Sequence, residues 1–216
     1  PAYGHFIDNS KTTTTTGVFC DRLLSFGASR AAAGFESTAL AKRLEELIVR
    51  PALDAEAQAF IQNQDHFFLT TVDQKGFPTV SYKGGNQGFV KVVNETTLRF
   101  PCYDGNGMWL SMGNIADTSK VGMLFINMLE PHRIRLQGQA CLLRDAEILK
   151  QWKDVALAVE VSITNTWFNC PRYIHPMAKL GDSGHVPSED RETEPAQWKS
   201  LEAVADVLPK QPHELK

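Results

Sequence analysis

His66-Phe67-Phe68-Leu69-Thr70-Thr71-Val72-Asp73-Gln74-Lys75-Gly76-Phe77-Pro78-Thr79-Val80-Ser81-Tyr82-Lys83-Gly84-Gly85 opens the stretch, residues 66–143, around which the rest of the chain is arranged. Phe67, Leu69 and Thr71 alternate with Phe68, Thr70 and Val72, the period of two that sends successive side chains to opposite faces of a strand. Asp73-Gln74-Lys75-Gly76 then supplies a tight turn whose glycine accepts positive φ. Residues 79–83 return as the second strand of a hairpin. Further outward, strands are predicted at residues 89–93, 97–100, 121–127, 133–143 and 157–164, mostly joined by short turns such as Asn94-Glu95 and Glu130-Pro131-His132. Strands so connected predict a mainly β fold with flanking helices, an antiparallel barrel or strongly curled sheet.

The helices sit around this core. In residues 36–49, Leu40, Leu44, Leu47 and Ile48 recur at helical spacing, with Lys42, Arg43, Glu45 and Glu46 on the other side. Pro51 ends that helix, and residues 52–64 read as a second, with Leu53, Ala57, Phe60 and Ile61 on one stripe. A third is expected at 107–116, directly after a Gly-rich loop, and a surface helix at 144–155. The charged tail holds one amphipathic stretch, 195–207, with Trp198, Leu201 and Val204 or Ala205 facing inward as a docked terminal helix. The polar run Thr12 to Thr16, followed by Gly17-Val18-Phe19, reads as an arm or loop. The expected division is an arm at 1–35, a core domain at 36–180 and a tail at 181–216.

With 216 residues, 43% hydrophobic and 22% charged, the chain is long enough for one sizeable core. A net charge of −3 gives no bulk attraction to nucleic acid or an anionic membrane, so any phosphate must be held by a local site. Cys20, Cys102, Cys141 and Cys170 form no C-x-x-C pair, which predicts reduced thiols and a cytoplasmic setting. No stretch approaches the roughly 18 apolar residues of a membrane span. His66, His132 and His175 lie far apart and no H-E-x-x-H occurs, so no metal is expected. Neither a Gly-x-Ser-x-Gly elbow nor a Walker loop is present, which weakens hydrolase and nucleoside triphosphatase readings.

Four segments could carry chemistry. The strand Arg133-Ile134-Arg135-Leu136-Gln137-Gly138-Gln139-Ala140 puts two Arg and two Gln on one face, suited to a polar, anionic, planar ligand or simply to solvent. In the second hairpin strand Ser81 and Lys83 share a face, and Gly84-Gly85 marks either a close approach or a bend. The loop Asp104-Gly105-Asn106-Gly107 leads into a helix whose first turns carry Met108, Ser111 and Asn114. The unpaired N–H groups there suit a phosphate, or merely a surface helix end. Late in the core, Trp167-Phe168-Asn169-Cys170-Pro171-Arg172-Tyr173-Ile174-His175 holds Asn169 and Arg172 beside a stiffening proline and several aromatic rings.

Val80-Ser81-Tyr82-Lys83-Gly84-Gly85, Asp104-Gly105-Asn106-Gly107-Met108-Trp109-Leu110-Ser111-Met112-Gly113-Asn114-Ile115, Val121-Gly122-Met123-Leu124-Phe125-Ile126 and Phe168-Asn169-Cys170-Pro171-Arg172-Tyr173-Ile174-His175 together resemble, in that order, the pyridoxamine 5′-phosphate oxidase-like family of FMN-binding split-barrel proteins. The resemblance implies a split β-barrel homodimer with FMN sites at the subunit interface. It implies that Ser81, Tyr82 and Lys83 line the flavin and its ribityl phosphate, with Met108 beside them and Ser111 and Asn114 at the phosphate. Arg133 and Arg135 would approach the ring, and Asn169 and Arg172 would reach the site from the late motif, across the dimer. The activity implied is an oxidoreductase passing hydride through flavin N5 to or from a small molecule. The alternatives are a non-catalytic flavin-binding sensor or carrier and a haem-binding or haem-degrading split barrel. One departure argues against vitamin B6 oxidation: true pyridoxamine phosphate oxidases carry Arg residues after a carboxyl-terminal Trp, and no Arg follows Trp198.

Overall fold

The computed structural model describes residues 26–208. The threonine run 12–16, Cys20 and tail residues 209–216 lie outside the described residues. Strands β1 (His66–Val72), β2 (Pro78–Gly84), β3 (Lys91–Asn94), β4 (Thr97–Pro101), β5 (Lys120–Asn127), β6 (His132–Leu143) and β7 (Ala158–Asn169) form one antiparallel sheet. Their order is β2-β1-β5-β6-β7-β4-β3. Phe67, Leu69 and Thr71 are buried along β1, as are Ile134, Leu136, Gly138 and Ala140 along β6, the faces that the period of two predicts.

Three strands separate β1 from β4 in that order, yet the Phe67 ring of β1 lies 5.0 Å from Phe100 of β4, edge on. It also packs 5.1 Å from Phe125 of β5 and 5.8 Å from Phe89. Those contacts require the sheet to curl until its two ends approach each other, which makes it a split barrel around an aromatic core. The curl is helped by a bulge between Gln137 and Gly138. A Cβ on Gly138 would stand 2.4 Å from the Ser162 carbonyl oxygen, so only glycine lets β7 come this close.

Helices α1 (Phe26–Gly34), α2 (Thr38–Ile48) and α3 (Ala55–Gln62) precede the sheet. Asp54 caps α3 by accepting the Ala57 N–H at 2.8 Å, and Ala57 and Ile61 enter the core. The helix α1 replaces part of the expected arm. The stripe Leu40, Leu44, Leu47 and Ile48 of α2 stays exposed, and none of the helix's residues is buried. Between β4 and β5, α4 (Leu110–Thr118) begins later than predicted, because Gly107 and Trp109 take positive φ of 75° and 54° and keep the loop non-helical.

Other boundaries differ for local reasons. Phe89 and Val90, predicted to be in a strand, are buried below it, and β3 starts only at Lys91. The expected surface helix shortens to α5 (Ala146–Leu149), since Trp152 turns inward to donate its indole N–H to the Phe89 carbonyl at 2.7 Å. Strand β7 runs to Asn169, five residues beyond 164, because β6 pairs with it along its whole length. In the tail the single predicted helix is instead a 3-10 helix, Gln197–Ser200, and one α turn, α6 (Glu202–Ala205). Leu201 between them is extended, at ψ 130°, and 56% exposed rather than inward.

Candidate functional site

The inward-leaning side of β2, Thr79, Ser81 and Lys83, is half-buried because α4 lies against the β1–β2 hairpin. Ser81 Oγ and Ser111 Oγ meet at 3.3 Å. One turn on, the Asn114 amide donates to Thr71 Oγ1 at 3.0 Å and to Thr79 Oγ1 at 3.4 Å, and the two threonine hydroxyls are 3.0 Å apart. Thr118 Oγ1 donates to the Val72 carbonyl at 2.8 Å. These contacts fix the helix start over the strand. They also spend the Asn114 amide inside the fold, where it is 6% exposed, so its place is a packing joint and not an open phosphate contact.

Near where the two ends of the sheet approach, a cleft of about 190 Å³ is lined by Lys83 and Gly84 of β2, Phe100 and Pro101 of β4, the following Cys102, Tyr103, Asp104 and Gly105, and Met112 of α4. Burial raises the Cys102 thiol pKa, Lys83 lowers it and Asp104 raises it, so both charges act on the same recess. Met108 stands at the loop exit, 70% exposed, its N–H donating to Asn106 Oδ1 at 3.1 Å. The space over Gly85 is filled by the Phe89 ring, 2.4 Å from a would-be Cβ, so that glycine serves packing and leaves no room for a ligand. Tyr82 also borders the cleft, 62% exposed and with its ring stacked on His66 at 5.5 Å between centroids.

A second group lies across the sheet. Arg133 and Asn169 are register partners on β6 and β7. Arg133 Nε and Asn169 Oδ1 are the two buried side-chain polar atoms without a hydrogen-bond partner among the described residues. Beside them Arg172 Nε donates to Cys170 Sγ at 3.2 Å. The Cys170 thiol pKa is lowered by the Arg172 backbone and side-chain hydrogen bonds and by the charges of Arg172 and Arg133. Arg135 is exposed on the outer face, in a lateral row of register partners, Tyr82, Phe68, Leu124, Arg135 and Trp167. The aromatic enclosure expected around Arg172 is absent on one side, since Tyr173 is 91% exposed.

The predicted residues therefore fall into two groups, Tyr82 and Lys83 on the cleft with Ser81, Met108 and Ser111 around the start of α4, and Arg133, Asn169 and Arg172 at the β6–β7 end with Arg135 on the adjoining face. No hydrogen bond or ion pair joins the groups among the described residues. Sequence reading missed Cys102 and Tyr103 as cleft walls, although both follow a strand end directly, where chain leaving a sheet often lines a site.

A curled antiparallel sheet with a cleft near where its two ends approach defines an antiparallel split barrel. The chain belongs to the pyridoxamine 5′-phosphate oxidase family: the model described as pyridoxamine 5′-phosphate oxidase matches residues 53–165, just over half of the 216 residues. Among solved structures the chain is similar to HupZ of Group A Streptococcus at 18% identity, covering 58% of this chain and 99% of that one with a TM-score of 0.46. A putative pyridoxamine 5′-phosphate oxidase from Lactobacillus delbrueckii is 21% identical, covers 55% and 95%, and has a TM-score of 0.46. An FMN-binding protein from Syntrophomonas wolfei is 13% identical, covers 65% and 97%, and has a TM-score of 0.43. A comparison with curated proteins finds no match.

Proposed function

We propose that this chain is an FMN-dependent oxidoreductase acting on a small molecule, and that it works as a homodimer with a flavin at each subunit interface. The observation that carries the reading is the convergence of the Ser81 and Ser111 hydroxyls at 3.3 Å at the start of α4, with Lys83 two residues further along the same strand on the cleft. An ammonium, two hydroxyls and the unpaired N–H groups of a first helical turn are a donor set that fits a phosphate monoester. The orphaned Arg133 Nε donor and Asn169 Oδ1 acceptor fit the edge of a ring that presents both kinds of group. A cleft of about 190 Å³ is smaller than the roughly 300–1,000 Å³ of a complete small-molecule site, which favours completion by a second chain.

When bound, FMN supplies hydride transfer at N5. Lys83, Ser81 and Ser111 hold the phosphate, and Arg133, Asn169 and Arg172, offered from the partner, orient the ring and favour negative charge at its edge. The cytoplasmic setting rests on Cys102, Cys141 and Cys170, which are free thiols.

The test is the visible spectrum of the purified protein after incubation with FMN and desalting. Flavin bands at close to one per chain, reduced by NADH or NADPH and restored by an added acceptor, support the enzyme. Bound flavin that no donor reduces supports a carrier or sensor. A colourless protein that instead acquires a Soret band with haem sinks the flavin reading.

A further inference from the structure

Beyond β7 the chain runs back across the barrel and is tied down along its length. The Met177 N–H donates to the Met128 carbonyl at 2.9 Å, Lys179 pairs with Asp65 at 2.5 Å, and the Asn86 amide donates to the Pro187 carbonyl at 2.7 Å. Lys153 Nζ donates to the Ser188 carbonyl at 2.6 Å. At the far end Lys199 forms an ion pair with Asp104 on the cleft wall. The Lys199 side chain is only 21% exposed and lies over the Trp198 ring, its ammonium 5.8 Å from the centroid.

This pair alters the charge of the cleft. Lys83 and Asp104 alone sum to zero, and an unpaired carboxylate beside an incoming phosphate would repel it. Lys199 supplies a second ammonium and leaves the recess net positive. Its reach also anchors the 102–109 loop, whose backbone sets where α4 begins.

We propose that Lys199 is a positioning residue of the phosphate end of the cleft: by neutralising Asp104 it lets Lys83 act on an anionic ligand, so that the carboxyl-terminal segment sets the preference for phosphorylated over unphosphorylated flavin. The inference rests on the flavin reading above and deepens it.

Dissociation constants for FMN and riboflavin, measured at low ionic strength for the full chain and for K199Q, D104N and the double variant, test it. K199Q is expected to weaken FMN roughly tenfold while leaving riboflavin within about twofold, because only FMN brings the extra charge. Riboflavin affinity is thereby also the control for folding. The D104N/K199Q double variant is expected to recover FMN to within about threefold of the parent, since no carboxylate then needs neutralising. An equal loss of both ligands in K199Q, no loss of either, or no recovery in the double variant overturns the proposal while leaving the flavin reading intact. A parent protein that binds neither flavin overturns both.

Discussion

Asn114 joins α4 to the β1–β2 hairpin through Thr71 and Thr79. Replacing it with Ala leaves the buried Thr71 and half-buried Thr79 hydroxyls short of a donor, and Asn114→Ala is expected to cost about 2 kcal/mol in urea unfolding. Asp65 works through charge. Burial raises its pKa, but hydrogen bonds from His66 and Lys179 and their charges outweigh that, and the folded value lies below 3.8. Its contribution to stability is therefore complete above the unfolded value of 3.8 and is lost as pH falls through the folded value. Asp65→Asn should erase part of the stability difference between neutral pH and about pH 3, read from denaturant midpoints at the two values. Cys170 differs from Cys102 and Cys141, whose thiols burial pushes up, in being held low by Arg172; Cys141 is exposed as Cys170 is, so the direction of the shift separates those two. Near neutral pH iodoacetamide is expected to label Cys170 before the other two, and R172A should slow it several-fold in peptide mapping. Cys170 and Arg172 are two residues apart and so could be read locally, but the other roles have no local sequence signature. Asp65 meets Lys179 across 114 residues and Asp104 meets Lys199 across 95, distances over which no spacing rule operates.

At the scale of elements, periodicity was informative wherever one side of a segment meets the core and the other meets solvent. Strands β1 and β6 alternate cleanly for that reason, and their register follows. It misled where both sides are occupied or neither is. Phe89 and Val90 look like strand residues but are buried in the core ahead of β3, and the 195–207 stretch has helical spacing but forms only two single turns. The helix α2 has the most regular apolar stripe of the leading segments, yet that stripe is exposed. Amphipathicity states that a face wants covering, not what covers it. Because no α2 side chain is buried, deleting residues 26–48 while keeping Arg50, whose backbone bridges Thr166, should move the barrel's melting temperature by no more than about 4 °C. A larger drop by calorimetry would mean that the helix is covered in the assembled protein.

For the whole molecule, the two groups of candidate site residues set the question of assembly. One chain holds the Ser81 and Ser111 hydroxyls at the start of α4 and the unpartnered Arg133 and Asn169 atoms at the β6–β7 end, with no polar bond between the two groups among the described residues. Between them the outer sheet face carries the row Tyr82, Phe68, Leu124, Arg135 and Trp167, in which Phe68, Leu124 and Trp167 are half-buried and Tyr82 is exposed. A two-fold contact through such a face would buttress the row against its own copy and bring the second group of one chain toward the first group of the other. A charge at the centre of the row should therefore break two properties together. Leu124→Glu is expected to raise the dimer dissociation constant at least tenfold by analytical ultracentrifugation, through burial of an unpaired carboxylate, and to abolish flavin retention with it. Lys83→Gln, at the cleft, should weaken FMN while leaving the dimer unchanged. If Leu124→Glu dissociates the protein and each monomer still retains flavin, the cofactor lies within one chain, and Arg133 and Asn169 must find their missing partners elsewhere.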